Sequence, residues 1–169
     1  STALRFYLKA SEDFCTISDI KSDRPSSTLA FRMYIKYITT RRKCQEELML
    51  ELLQNLIAYK YACKLKHWQS SNYGMHLLYD RLIENVDSWV DDIAEKVYMA
   101  AGAAEQLNED ILRPELINKD IAEMAASVLE KIEELLNDKE QPDGVATLLS
   151  DISKDFLTKL ALARMEDGE

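Results

Sequence analysis

Four stretches of this chain repeat their apolar residues at steps of three and four, and very little interrupts them, since the whole sequence holds only four Gly and three Pro. Steps averaging 3.6 gather side chains on one side of an α-helix, whereas a half-buried strand needs strict alternation. Any fold for this chain therefore has to be built by packing long helices, and strand-rich architectures are disfavoured.

The first stretch runs from about Arg42 to Trp68, with Met49, Leu52, Leu53, Leu56 and Cys63 on its apolar side. Acids near its start and lysines near its end suit the helix dipole. The segment Ser70, Ser71, Asn72, Tyr73, Gly74 reads as a short turn, which sets the next helix antiparallel to the first. That second helix is expected from about Met75 to Met99, with Leu78, Leu82, Val86, Trp89, Val90, Ile93 and Val97 toward a core. Gly102 ends it, and a connection through Arg113 and Pro114 has room for one short helix around Glu109 to Leu112. A third helix starts near Asn118 and carries Ile121, Met124, Ala125, Val128, Leu129, Ile132 and Leu136 on one stripe. After the turn Gln141 to Gly144, a fourth buries Val145, Leu148, Leu149, Ile152, Phe156 and Leu160. Two hairpins joined by a long crossover between helices two and three make an all-α chain with the layout of a ferritin-like up-down four-helix bundle.

At 169 residues with 47% apolar content, one such core needs no disulfide support. The bundle is assigned to residues 42–169, preceded by a basic arm over residues 1–41 that is expected to be partly extended. Within the arm, Phe31, Met33, Ile35 and Tyr37 alternate like a strand, while Ala30, Met33, Tyr34, Tyr37 and Ile38 also fit a helical face, so its local structure stays open. Charge is divided along the same line. Residues 1–43 hold nine Lys or Arg against four acids, a net of +5, which leaves −14 on residues 44–169 out of a total of −9. An acidic body suits cation binding or plain solubility, and a basic arm suits nucleic acid or another anionic surface.

The three cysteines, Cys15, Cys44 and Cys63, form no CxxC pair, so reduced thiols in a cytoplasmic protein are the expectation. No apolar run reaches the ~18 residues of a membrane span, and no basic stretch followed by a hydrophobic block opens the sequence. No membrane partner is expected.

Chemistry concentrates around the first turn. The two histidines of the chain, His67 and His76, flank it. Asp80, Glu84, Asp87, Asp91 and Glu95 follow His76 at steps of four, four, three, four and four, which on one continuous helix confines all six to an arc of roughly 100°. A solvated acidic stripe is the bland explanation for the acids alone. Against it, the stripe has few basic partners to relieve its repulsion, and imidazoles stand at its head. Imidazole beside carboxylate suits borderline divalent metals such as iron, zinc or manganese, whereas calcium or magnesium would be served by oxygen alone. Asp80 and Asp91 lie about 16 Å apart along a straight helix, so one chain cannot close the site. Two copies packed antiparallel about a two-fold axis near residues 85 and 86 would bring 76 to face 95, 80 to face 91, and 84 to face 87. Each site would then join His67, His76 and Asp80 of one subunit to Asp91 and Glu95 of the other.

The run His67-Trp68, His76, Asp80 and Asp91-x-x-x-Glu95 resembles the ferroxidase signature of the Dps (mini-ferritin) family, divergent and virus-encoded members included, and the helical layout is similar from about residue 42 to 165. The turn between the histidines is shorter than is usual there. The resemblance implies His67, His76, Asp80, Asp91 and Glu95 as catalytic iron ligands. It further implies a dodecameric shell, inter-subunit oxidation of Fe(II) by peroxide or oxygen, iron storage, protection against oxidative damage, and in many members DNA binding. Glu84 and Asp87 are candidate secondary iron positions or plain surface acids. Trp68 is expected to pack in the core or over the site. The alternative is a Dps-like structural or nucleic-acid-binding bundle without ferroxidase activity, supported by Arg41, Arg42 and Lys43 with Phe31, Tyr34 and Tyr37 interleaved. A di-iron site inside one bundle would need Glu-x-x-His on two helices, and the sequence has none.

Overall fold

The computed structural model describes residues 27–138 and 141–165, and every regular element among them is helical. Residues 1–26, with Cys15 and the expected extended part of the arm, lie outside the described residues. The chain divides into two units, residues 1–44 and 45–169.

Helix α1 spans Ser27–Gln69, so the ambiguous stretch around residues 30–38 is helical and the first helix begins well before Arg42. Its 43 residues include no Gly or Pro. Two of its threonines turn their hydroxyls back along the helix: Thr39 Oγ1 donates to the Ile35 carbonyl at 2.8 Å and Thr40 Oγ1 to the Lys36 carbonyl at 2.9 Å. Asn72 then caps α2 (Tyr73–Ile83), its side-chain oxygen accepting from the backbone N–H of Gly74 at 2.8 Å and of Met75 at 3.3 Å. A Cβ at Gly74 would sit 3.2 Å from that oxygen, tighter than comfortable contact, so glycine keeps the cap close.

The expected continuous second helix is interrupted. It runs as α2, then α3 (Val86–Ile93), then a π-helical stretch (Ala94–Met99). At the interruption Glu84 is extended with ψ 136° and Asn85 is left-handed with φ 66°. Asn is among the few side chains that tolerate this region. The carbonyls released by the bend meet Lys159 of α5 (Asp143–Arg164), whose ammonium donates to the Glu84 carbonyl at 2.7 Å and the Arg81 carbonyl at 3.5 Å. Gly102, with φ 69°, follows the π stretch as expected of a stop signal. Three short 3-10 turns (Ala104–Gln106, Glu109–Ile111 and Pro114–Leu116) fill the crossover where one was expected. Asp120 caps α4 (Ile121–Leu136) through the Glu123 N–H at 2.9 Å.

Within unit 45–169 the helices share one buried cluster, including Leu52, Leu56, Leu82, Ile93, Val128 and Ile152. Tyr59 and Phe156 pack at its centre with ring centroids 5.1 Å apart and planes at 58°, the tilted geometry aromatic pairs prefer. Two expected members fall elsewhere. Leu136 is 37% exposed, its place taken by Leu135, and Trp68 is 67% exposed, so it packs in no core. Cys63 is buried and Cys44 exposed, and neither is in a disulfide among the described residues. No helix among the described residues is long and apolar enough to cross a membrane.

Candidate metal centre

His67 lies in the last turn of α1 and His76 in the first turn of α2, and the three-residue link between those helices folds them together. Their rings stack with centroids 3.7 Å apart and planes inclined by 31°. Each ring uses its Nδ1 on the other's backbone: His67 Nδ1 lies 3.1 Å from the His76 carbonyl oxygen and His76 Nδ1 lies 3.2 Å from the His67 carbonyl oxygen. A carbonyl oxygen only accepts, so each Nδ1 carries the proton and donates. In the neutral imidazole this leaves Nε2 with its lone pair free. Such a bond to a ring's rear nitrogen is how metal-binding histidines are oriented.

Asp80 stands one turn beyond His76. Its Oδ1 is 3.3 Å from His67 Nδ1, and its side chain is 60% exposed against 15% for His67. One donor atom from each of His67, His76 and Asp80 lies within 4.8 Å of the other two. Donors held at about 2.1 Å from one ion lie at most about 4.2 Å apart. Two imidazoles with a carboxylate fit a borderline first-row metal.

The other acids expected on this face divide into two kinds. Glu84 pairs with Arg81 and Asp87 with Lys60, so these two are not spare carboxylates waiting for iron. Asp92 likewise pairs with Lys96 at 2.7 Å. The expected shortage of basic partners is thus corrected at Glu84 and Asp87, the second served from α1, which periodicity along a single helix does not reveal. Asp91 and Glu95 are exposed and form no ion pair among the described residues. The structure does not bring them to the histidine cluster within one chain. The bend at Asn85 interrupts the continuous helix on which the single 100° arc and the pairing of 76 with 95 and 80 with 91 rest.

Sequence reasoning missed the buried polar group behind this hairpin. Lys159 is 2% exposed. Its ammonium lies 3.5 Å from Asp155 Oδ2, and the same carboxylate oxygen accepts from Trp89 Nε1 at 2.7 Å. Burial lowers the Lys159 pKa while Asp155 works to raise it. A signal was present: Lys159 occupies an apolar stripe position between Phe156 and Ala163, where an unpaired charge could not stay.

No protein-family model, no curated protein and no solved structure matches this chain.

Proposed function

We propose that this chain handles iron in the manner of a Dps-type mini-ferritin, binding Fe(II) at His67, His76 and Asp80 and oxidising it with peroxide or oxygen. In this reading its helices form a ferritin-like up-down four-helix bundle. Asp91 and Glu95 of a second copy complete each site, and copies assemble further into a storage shell. The observation that carries the reading is the convergence of His67, His76 and Asp80 with both Nδ1 atoms committed to backbone carbonyls. A second support is that Asp91 and Glu95, alone among the singled-out acids of α3 and the π stretch, are exposed without an ion pair among the described residues. Ligands meant for another subunit have to be left unpaired in the separate chain.

The chain's own residues then supply binding and orientation. The imidazoles give nitrogen donors whose direction is fixed by the turn, and Asp80 offers a carboxylate that tracks the ion's rising charge. Two Fe(II) ions give one electron each to hydrogen peroxide, yielding two Fe(III) and two hydroxide ions. Fe(III), the stronger Lewis acid, hydrolyses water and leaves as mineral.

Fe(II) oxidation with added peroxide, followed by absorbance, tests this. The rate should fall at least tenfold in His76→Ala and in Asp91→Ala/Glu95→Ala. Equal rates in wild type and both variants would rule the site out. Loss in the histidine variant alone would remove the inter-subunit part of the reading.

A further inference from the structure

Nothing local enforces the break between α2 and α3. Leu82 to Ser88 include neither Gly nor Pro. Asn85 opens α3 in the left-handed region, φ 66° and ψ −10°, and its side chain caps no N–H. A helix start is ordinarily extended at that position, with a side-chain oxygen on the N–H groups of the next turn. A left-handed L residue and an uncapped first turn are both unfavourable. Meanwhile Leu82, Val86, Trp89, Val90, Ile93 and Val97 follow one another through the break in helical phase. The segment's own residues thus favour a continuous helix, and something else holds them out of it.

What holds them lies on α5, where Asp155 and Lys159 stand one turn apart and grip the two sides of the break. The Lys159 ammonium donates to the Glu84 carbonyl at 2.7 Å and reaches the Arg81 carbonyl at 3.5 Å, at the end of α2. In an unbroken helix those carbonyls would accept from the N–H groups of Ser88 and Asn85 instead. On the other side, Asp155 Oδ2 accepts from Trp89 Nε1 of α3 at 2.7 Å and lies 3.5 Å from the Lys159 ammonium. At 2% exposure Lys159 depends on these acceptors. Asp155 is its partner whether or not the carbonyls are free, so straightening would not strand its charge.

We propose that the α2–α3 junction is a two-position hinge, latched bent by Lys159 and Asp155, whose straight position is the one a metal-bearing second copy selects. Run unbroken, the helix sets Asp91 about 20° from Asp80 around its axis, the register on which completion of the site by a second copy depends. That second half rests on the metal reading, whereas the hinge itself does not. A ligand that fits the straight position better draws the population toward it, and association becomes sensitive to whatever shifts the hinge. Lys159 and Asn85 are positioning residues here and touch no ion.

Amide exchange in the full chain tests it. In the bent position the N–H groups of Asp87 and Ser88 belong to the first turn of α3 and have no helical acceptor, and both residues are exposed. In the straight one they bond to the Ile83 and Glu84 carbonyls. Asn85→Ala disfavours the left-handed turn and favours helix, and Asn85→Gly does the reverse. Asn85 is itself exposed, so neither change disturbs the core. Without metal, exchange at Asp87 and Ser88 should be at least tenfold slower in the Ala variant than in the Gly variant, with the wild type between. Lys159→Met/Asp155→Leu should slow these two amides while exchange elsewhere in unit 45–169 quickens, a split that lost stability alone does not produce. Co(II) should slow them in the wild type, and association should need at least tenfold less Co(II) in Asn85→Ala than in Asn85→Gly. Equal exchange in the Ala and Gly variants, or no slowing in the unlatched one, would overturn the hinge. Co(II) held by His67 and His76 with exchange unchanged would overturn its link to association. Failure of the metal reading looks different: no variant binds Co(II), and the metal-free exchange still decides the hinge.

Discussion

Tyr98 carries its hydroxyl into the core, 3% exposed, without a hydrogen-bond partner among the described residues. Burial, and after it the negative charge of Glu46, push its pKa up to about 12. The unfolded chain would release that proton near pH 10. Between about 10 and 12 the folded state therefore holds more protons than the unfolded one, so stability is full below pH 10 and declines as pH rises through that window. Tyr98→Phe removes both effects. It should gain about 1 kcal/mol at pH 8 in urea unfolding, and its advantage over wild type should widen at pH 11. A constant advantage would show that the phenol titrates alike in the folded and unfolded chain, so that burial does not raise its pKa. This tyrosine was not legible in advance, because a π stretch shifts the phase from which burial is read. The two histidines were legible, since a turn of a few residues leaves little freedom in where its ends point. The engagement of both Nδ1 atoms was not, because it depends on carbonyl directions that a spacing rule does not contain.

At the scale of elements, the bend between α2 and α3 depends on a residue of α5. Lys159 satisfies the Glu84 carbonyl and holds Asp155, which in turn accepts from Trp89. Lys159→Met would leave a half-buried carboxylate and a carbonyl without their cation, a loss at or below the ~3 kcal/mol low end for breaking a buried pair, since Asp155 keeps part of its hydration. Lys159→Met/Asp155→Leu should recover part of that loss, because the uncompensated charge goes too, although the Trp89 indole then loses its acceptor. Urea midpoints of the two variants decide this, and a double variant less stable than the single would refute the ion-pair account. Helix positions in unit 45–169 were largely readable from apolar phase, with α4 and α5 starting within a few residues of expectation. The bend was not. A left-handed Asn85 leaves the apolar pattern through Leu82, Val86 and Ile93 intact, and only the distant lysine betrays where carbonyls have come free.

For the whole molecule, the proposed site makes metal binding and association of copies a single equilibrium. If Asp91 and Glu95 serve a neighbour, a divalent ion stabilises the associated form by mass action, by about 2.7 kcal/mol at a hundredfold excess over its dissociation constant. Sedimentation velocity with and without Co(II) should therefore show association at lower protein concentration when the ion is present. Asp91→Asn/Glu95→Gln should abolish that response and leave metal-free behaviour unchanged. Identical profiles with and without the ion would separate the two phenomena. Association is the level at which composition said least. A net charge near −14 on residues 44–169 suits cation binding and plain solubility alike, and the exposure on which any contact between copies depends is settled only by packing.

The lysine that holds the bend also sets an order of events during synthesis. A ribosome releases the imidazole pair and its turn long before residue 159, and the nascent hairpin can close on local contacts alone. Until α5 emerges, nothing supplies a cation to the Glu84 carbonyl, and the second helix is free to run straight through Asn85. Translation arrested ahead of residue 159 would thus yield a hairpin with its imidazoles already stacked and its downstream acids still turned to another side.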